Sequence, residues 1–280
     1  MVTRREALRR AGAVAAAAAL PAWRWPGGAD KLGKLGMQLY TVRDALKADF
    51  DGTLARVAAI GYEQVEFAGY MGRTPAQVKA SLKQARLTAP ATHLALETLE
   101  SDWAATVAAA HIVGHDYLVV AWIDAKRRAT LDDYRQMAET FTRLGEQARA
   151  AGLRFAYHNH AFEFEPIDGQ VPYDILLAGT DPRSVWFEMD LYWTVEGGAN
   201  PLAYFARWPG RFPLVHVKDR TADGKMVDVG AGAIDWAAIF SERKEAGIRY
   251  EFVEHDEPAD PFASLASSYA YLRALRFPNG

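Results

Sequence analysis

The chain has 280 residues, of which 50% are hydrophobic, 24% charged and 12% aromatic, and these fractions exclude both a disordered chain and a fibre. The net charge is −3, from 32 basic and 35 acidic residues, so no basic excess is present to neutralise a nucleic-acid backbone. There are no cysteines, which excludes disulfides, thiolate metal sites, iron–sulfur clusters and cysteine nucleophiles.

The first 25 residues resemble an export signal. Arginine pairs at positions 4–5 and 9–10 precede a short apolar run over residues 11–20. The Thr-Arg-Arg start is similar to a twin-arginine signal, which exports folded proteins. The apolar run is too short to span a bilayer, so we expect no stable membrane anchor. We predict that residues 1–25 direct the chain to the periplasm or another extracytoplasmic compartment; a basic N-terminal helix is the alternative.

The remainder of the chain alternates between segments with strand and helix character. Eight strands are predicted, at residues 34–40, 62–67, 89–95, 117–122, 153–159, 184–190, 213–218 and 249–255. Apolar residues at helical spacing predict helices over 42–60 and 131–151, and glycines at 61, 152 and 247 stand where helices should end. Eight strand–helix units in roughly 245 residues match the count and size of a closed (β/α)8 TIM barrel.

An open, doubly wound sheet is the alternative fold. It is disfavoured because Gln38-Leu39-Tyr40-Thr41 follows the first strand, where such folds carry a glycine-rich phosphate loop. No low-complexity linker divides the chain. We therefore predict one domain over residues 32–280.

Polar residues collect at the carboxyl ends of the predicted strands, where the active sites of such barrels lie. Five of the seven histidines fall at these ends. Because residues two apart on a strand share a face, each strand can direct its polar residues into one site. In strand order, the end residues are Gln38, Glu66, His93, Trp122, His158 with His160, Glu188 with Asp190, His216 with Lys218, and Glu254 with Asp256. Since unpaired polar groups in apolar strands are costly, the pattern indicates a functional site.

Three of these residues, Asp190, His216 and Glu254, come from successive strands and suggest a divalent metal site. Carboxylate and imidazole ligands suit Mn²⁺, Fe²⁺, Co²⁺ or Zn²⁺, and the absence of thiolates argues against a structural zinc site. The alternative is a buried ion-pair network of Lys218 with Asp190 and Glu254. Such a network would leave His216 without a role.

Six segments give the chain a resemblance to a known family. They are residues 36–40 (GMQLY), 157–164 (YHNHAFEF), 190–193 (DLYW), 216–219 (HVKD), 230–236 (GAGAIDW) and 252–256 (FVEHD). In this order the chain resembles a sugar phosphate isomerase/epimerase of the xylose-isomerase-like TIM-barrel superfamily. The resemblance runs from the first strand to the eighth, and it implies one divalent metal ion, with Mn²⁺ favoured.

The resemblance implies four metal ligands, one each from strands five to eight. Asp190, His216 and Glu254 match three of them. The strand-five ligand of the family is usually a glutamate, whereas this chain has His158 at that position. Either His158 binds the metal, or Glu163 turns back to it. We favour His158, because a side chain on a strand is better fixed than one on the following loop.

The chemistry implied by the resemblance is proton removal next to a carbonyl, which leads to isomerisation, epimerisation or elimination. Candidate proton-transfer residues are His160 and Glu163, and Lys218 is a candidate for stabilising an enolate. Candidate substrate-binding residues are Gln38, Glu66, His93, Trp122 and Trp193, with the tryptophans stacking on a sugar. Because no arginine cluster marks a strand end, we expect a sugar, polyol or keto-sugar rather than a sugar phosphate.

Two other functions remain open. A non-catalytic sugar-binding barrel would need no bound metal ion. A metal-dependent nuclease of the same superfamily would need a larger set of His, Asp and Glu ligands and a basic groove, neither of which is evident in the sequence. The oligomeric state is not predicted.

Overall fold

Eight apolar segments form the parallel strands of a closed barrel in the computed structural model, which describes residues 29–278. The strands are β1 (Gly36–Gln38), β2 (Gln64–Phe67), β3 (Thr88–Leu94), β4 (Tyr117–Val120), β5 (Arg154–His158), β6 (Val185–Asp190), β7 (Leu214–Val217) and β8 (Tyr250–Val253). Each pairs with the next, and β8 closes on β1 with Val253 beside Met37. The predicted (β/α)8 barrel is confirmed. The predicted export signal lies outside the described residues.

Residues 29–278 contain twelve α-helices around this barrel. They are α1 (Arg43–Ala48), α2 (Phe50–Ile60), α3 (Pro75–Ala85), α4 (Leu96–Ser101), α5 (Trp103–Val113), α6 (Leu131–Ala150), α7 (Pro172–Gly179), α8 (Leu191–Glu196), α9 (Pro201–Arg207), α10 (Trp236–Ser241), α11 (Arg243–Ala246) and α12 (Pro261–Ala274). Proline begins four of them, because its fixed φ suits the first helical position. Short 3₁₀ helices span Leu39–Val42, Ala125–Arg127 and Phe162–Phe164.

Helix boundaries follow local capping signals. Gly61, Gly152 and Gly247 have φ of 122°, 75° and 81°, so they end helices as predicted. The single helix predicted over 42–60 is wrong, because it divides at Asp49. The Asp49 carboxylate accepts a hydrogen bond from the backbone N–H of Gly52 at 3.0 Å and thereby starts α2.

The inside of the barrel is filled in layers. Its lower part is an apolar plug of six buried side chains: Ala91, Tyr117, Val119, Ala156, Leu214 and Phe252. Because inward-facing residues alternate along a strand, the next inward residue after Ala156 is His158, and after Leu214 it is His216. The polar site therefore lies directly on the apolar plug, and a larger apolar core lies outside it between the strands and helices.

Two short antiparallel pairs complete the structure. Ala29–Asp30 pairs with Phe277–Pro278 and joins the two ends of the described chain. Asp219–Arg220 pairs with Met226–Val227 in a hairpin after β7. Over residues 29–278, no helix combines the length and apolar character that crossing a membrane requires.

A buried histidine between β3 and the helices makes stability depend on pH. The His115 Nδ1–H donates to the Ala89 carbonyl at 2.6 Å, and Nε2 lies 2.8 Å from the Tyr70 hydroxyl. Burial lowers the pKa of His115 to about 4. Since the unfolded chain takes up this proton near pH 6.5, the free energy of unfolding should fall as the pH drops from 6.5 to about 4, by ~1.4 kcal/mol per pH unit.

We expect His115→Gln to remove this part of the pH dependence, which urea titrations with a chelator present would measure. The other titrating groups are common to both proteins. Between pH 6.5 and 4, the free energy of unfolding of the wild type should therefore fall by roughly 3 kcal/mol more than that of the variant. If the free energy of unfolding changed with pH equally in both proteins, His115 would not be the source of this pH dependence.

Candidate metal centre and active site

Four side chains from β5 to β8 converge at the carboxyl end of the barrel. His158 ends β5, Asp190 ends β6, His216 lies in β7 and Glu254 directly follows β8. One nitrogen or carboxylate oxygen from each lies within 4.8 Å of the others, and all four residues are buried. Strand pairing brings them together, since Asp190 lies beside His216 in the sheet register. The structure thus assembles the four residues that the sequence suggested as metal ligands.

The donor atoms of this cluster fit a divalent cation. His158 Nε2 lies 3.5 Å from Asp190 Oδ2, and neither buried ring nitrogen of His158 makes a hydrogen bond within residues 29–278. His216 Nδ1 lies 3.0 Å from Glu254 Oε2. Burial lowers the pKa of His158 to about 4, so at neutral pH its imidazole is uncharged and one ring nitrogen carries a free lone pair. An uncharged imidazole without a hydrogen-bond partner, beside two carboxylates, is a donor set for a metal ion.

The main chain and side chain of Asp190 are held in place by neighbours. Asp190 Oδ1 accepts a hydrogen bond from the backbone N–H of Trp193 at 2.9 Å and so caps α8. Its own backbone N–H donates to the Asn159 side chain at 3.2 Å. These contacts leave Oδ2 directed at the cluster. The sequence did not predict that Asn159 would hold Asp190. Strand alternation does place Asn159 on the opposite face of the strand from the inward-facing His158 and His160.

Lys218 makes ion pairs with three carboxylates. Its Nζ lies 2.7 Å from Glu254, 3.1 Å from Asp190 and 2.9 Å from Asp256. Burial favours the neutral amine, but the carboxylates outweigh it and raise the pKa of Lys218 well above its usual value. Burial opposes ionisation of Asp190 as well, yet Lys218 and the imidazoles hold its pKa well below the usual range. An ion-pair network alone accounts for Lys218 but not for the unbonded nitrogens of His158.

Gln38 and Glu66 lie below the cluster, fully buried, and not at the mouth of the barrel. Glu66 Oε2 lies 2.7 Å from His216 Nε2 and accepts a hydrogen bond from Gln38 Nε2 at 2.8 Å. Their expected contact with substrate is therefore not supported. A carboxylate on the second nitrogen of a metal-binding imidazole fixes the orientation of the ring. Burial, reinforced by Glu188, raises the pKa of Glu66 to about 7.

A cavity of about 800 Å³ opens above the cluster. Trp122 on its wall is 49% exposed, which leaves its indole free to contact a ligand. The His160 ring lies 5.0 Å from the Trp122 ring and 5.7 Å from the Trp193 ring. Burial lowers the pKa of His160 to about 2, so the imidazole is neutral. The cavity lining includes the predicted site residues His93, Trp122, His158, His160, Trp193, Lys218 and Glu254. It also includes the strand-end residue Asp256, and Tyr40, which was not predicted as a site residue.

Both carboxylate oxygens of Glu163 are engaged away from the cluster, so the structure gives no support to either role expected for it. The 3₁₀ turn Phe162–Phe164 buries its carboxylate, and the Tyr157 hydroxyl donates to Oε1. The His160 backbone N–H donates to Oε2 at 2.9 Å. Burial raises the pKa of Glu163 to about 7. With both oxygens engaged, Glu163 holds the loop that carries His160.

Comparison with known proteins agrees with this architecture. The sequence profile of the family described as "Xylose isomerase-like TIM barrel" matches residues 54–274. An inosose dehydratase of Lacticaseibacillus casei is 28% identical over 173 residues, which cover 54% of this chain and 57% of that protein. The chain therefore spans little more than half the length of this curated relative.

Two solved structures from Parabacteroides distasonis ATCC 8503, both described as sugar phosphate isomerase/epimerases, are also similar. One is 26% identical with a TM-score of 0.77, covering 86% of this chain and 96% of that one. The other is 28% identical with a TM-score of 0.76, covering 87% and 99%. Since the family profile matches well over half of the sequence, the chain belongs to the xylose isomerase-like TIM barrel family.

Proposed function

We propose that the protein is a divalent-metal-dependent enzyme that moves a proton next to the carbonyl of a sugar, polyol or keto-sugar. The observation that carries this proposal is the cluster of His158, Asp190, His216 and Glu254 at the floor of a cavity of about 800 Å³. The names of the similar proteins, an inosose dehydratase and sugar phosphate isomerase/epimerases, support a carbohydrate substrate. The reaction is then an isomerisation, an epimerisation or a dehydration.

The four cluster residues would hold the metal ion, as two imidazoles and two carboxylates. This mixed set suits Mn²⁺, Fe²⁺, Co²⁺ or Zn²⁺, among which we propose Mn²⁺. When bound, such an ion supplies Lewis acidity that polarises a carbonyl oxygen and makes the neighbouring C–H more acidic.

The other residues of the cavity bind and orient the substrate. Trp122 and Trp193 offer aromatic faces for the apolar side of a sugar ring. His160 is a neutral imidazole that can hydrogen-bond a substrate oxygen and pass a proton to it. The Lys218 ammonium provides positive charge beside the cluster, which favours a developing oxyanion.

Proton exchange with solvent tests this proposal directly. The purified protein should contain about one divalent ion per chain. In heavy water it should incorporate deuterium into a keto-sugar or a keto-inositol, as followed by proton NMR. Chelation should stop the incorporation and added Mn²⁺ should restore it. Sugar binding without a metal ion and without exchange would instead identify a non-catalytic sugar-binding barrel.

A further inference from the structure

A second pairing of imidazole and carboxylate lies beside the metal-ligand cluster. His93 Nε2, near the end of β3, lies 2.7 Å from Glu188 Oε2 in β6. Glu188 precedes Asp190 by two residues, so it faces inward one layer deeper, and its side chain is fully buried. The His93 side chain keeps 11% exposure and lines the cavity. The pair thus connects the buried interior with the space where a substrate would lie.

We propose that His93 is the catalytic residue that takes the proton from substrate carbon, with Glu188 as its positioning residue. This inference rests on the proposed function. It assigns the proton transfer to a residue that the sequence analysis had treated as a substrate-binding candidate.

The orientation of the His93 ring supports this role. Nε2 faces Glu188 and also lies 3.3 Å from Glu66 Oε2, so two carboxylate oxygens select the tautomer with hydrogen on Nε2. In the neutral ring the lone pair is then on Nδ1, the nitrogen left for a ligand in the cavity. The ring stacks on His216 with centroids 5.2 Å apart and lies 5.1 Å from the His158 ring. These contacts hold the His93 ring against two of the cluster residues.

The other proton-transfer candidates are less well placed. Both carboxylate oxygens of Glu163 accept hydrogen bonds away from the cavity. Lys218 is an ammonium held by three carboxylates, and so has no free lone pair. His160 Nδ1 is buried without a hydrogen-bond partner in residues 29–278, so no carboxylate stabilises a positive charge on that nitrogen. His93 is the one of these four that combines cavity access with a carboxylate behind it.

The step balances without any further reagent. The C–H bond next to the carbonyl breaks and its proton forms an N–H bond at His93 Nδ1. The electron pair of the C–H bond forms a carbon–carbon double bond, and the carbonyl π pair moves to oxygen. Glu188 stays ionised and balances the imidazolium. In an isomerisation the proton of the neighbouring hydroxyl moves to the enolate oxygen, that neighbouring carbon–oxygen group becomes the carbonyl, and Nδ1 returns its proton to the carbon of the original carbonyl. In a dehydration the enolate pair re-forms the carbonyl, the carbon–carbon double bond shifts to expel the hydroxyl, and Nδ1 gives that hydroxyl its proton so that it leaves as water.

His93→Gln tests this assignment, because the glutamine amide can still donate to Glu188 in place of Nε2–H but has no counterpart of Nδ1. We expect deuterium incorporation and turnover to fall by ~10²–10⁴-fold. The content of divalent metal and the thermal midpoint should stay close to those of the wild type. Glu188→Gln should lower kcat by a smaller factor and leave KM unchanged. His111→Gln, an exposed histidine on α5, is the matched control and should behave as the wild type.

Chemical rescue separates a catalytic from a structural role. In His93→Ala, added imidazole should restore part of the deuterium incorporation, whereas a purely structural defect would not respond. Undiminished deuterium incorporation by His93→Gln would overturn the assignment of His93 as the proton acceptor. Loss of the metal ion in both His93 variants would also overturn it, and either result would leave the proposed function standing. Absence of incorporation by the metal-loaded wild type on every keto-sugar would overturn both.

Discussion

Replacing Asp190 or Glu254 by alanine is expected to remove the divalent ion and to abolish turnover. Each variant loses one of only two carboxylates in the cluster, and Lys218 then neutralises the other at 2.7–3.1 Å. We expect the metal affinity to fall by more than the ~10–100-fold that replacing an outer partner of a metal site costs. Elemental analysis of the purified variants and calorimetric titration of the chelator-treated proteins with Mn²⁺ would measure the loss.

Asp256→Asn provides the comparison for these variants. Asp256 also pairs with Lys218, at 2.9 Å, but lies outside the four-residue cluster. Its replacement should therefore leave the metal content intact. Full metal occupancy in both Asp190→Ala and Glu254→Ala would refute the metal centre and favour an ion-pair network around Lys218.

Replacing Asp219 by alanine should cause a large loss in the free energy of unfolding. This carboxylate lies two residues after the end of β7 and is fully buried. It accepts hydrogen bonds from the Trp236 indole at 2.9 Å and from the backbone N–H of Gly230 at 2.9 Å. Further backbone donors are Arg220, Gly232 and Ile234. Since alanine leaves several of these donors unsatisfied, we expect the free energy of unfolding to fall by at least ~3 kcal/mol.

Asp235→Ala is the matched control for this prediction. Urea titration of the two variants after treatment with a chelator would give their free energies of unfolding. Asp235 accepts one hydrogen bond, from the backbone N–H of Ala238 at 3.0 Å, at the start of α10. Losing this single N-cap should cost about 1 kcal/mol. Equal losses in the two variants would contradict the view that Asp219 organises the loop over residues 230–236.

The four residues of the proposed metal centre could be found from the sequence because they lie at strand ends. Side chains alternate along each strand, and parallel strands in a barrel bring their carboxyl ends together. His158, Asp190 and His216 therefore had to share one face and one end. The same local rules located the glycines that end helices.

The depth at which a side chain lies in the barrel was harder to predict from the sequence. Gln38 and Glu66 are inward-facing residues near strand ends, as His93 is, yet the first two lie beneath His216 and only His93 lines the cavity. Strands of a closed barrel are staggered relative to one another, so equal positions on different strands reach different layers. The sequence contains no direct measure of this stagger.

Loop conformation also depends on distant contacts. Glu163 follows β5 by five residues, and the sequence allowed its carboxylate to face the cluster or to turn away. The Tyr157 hydroxyl and the His160 backbone N–H decide its direction, and Asp219 organises its loop in a similar way.

The sequence by itself therefore determined the barrel, its strand order and the residues that face its interior, because these follow from short-range periodicity. Only the tertiary structure decided which inward residues meet a ligand, which orient others from below, and that His93 is paired with Glu188 across the barrel. These properties depend on strand stagger and on contacts between residues far apart in the chain, and a local pattern carries neither.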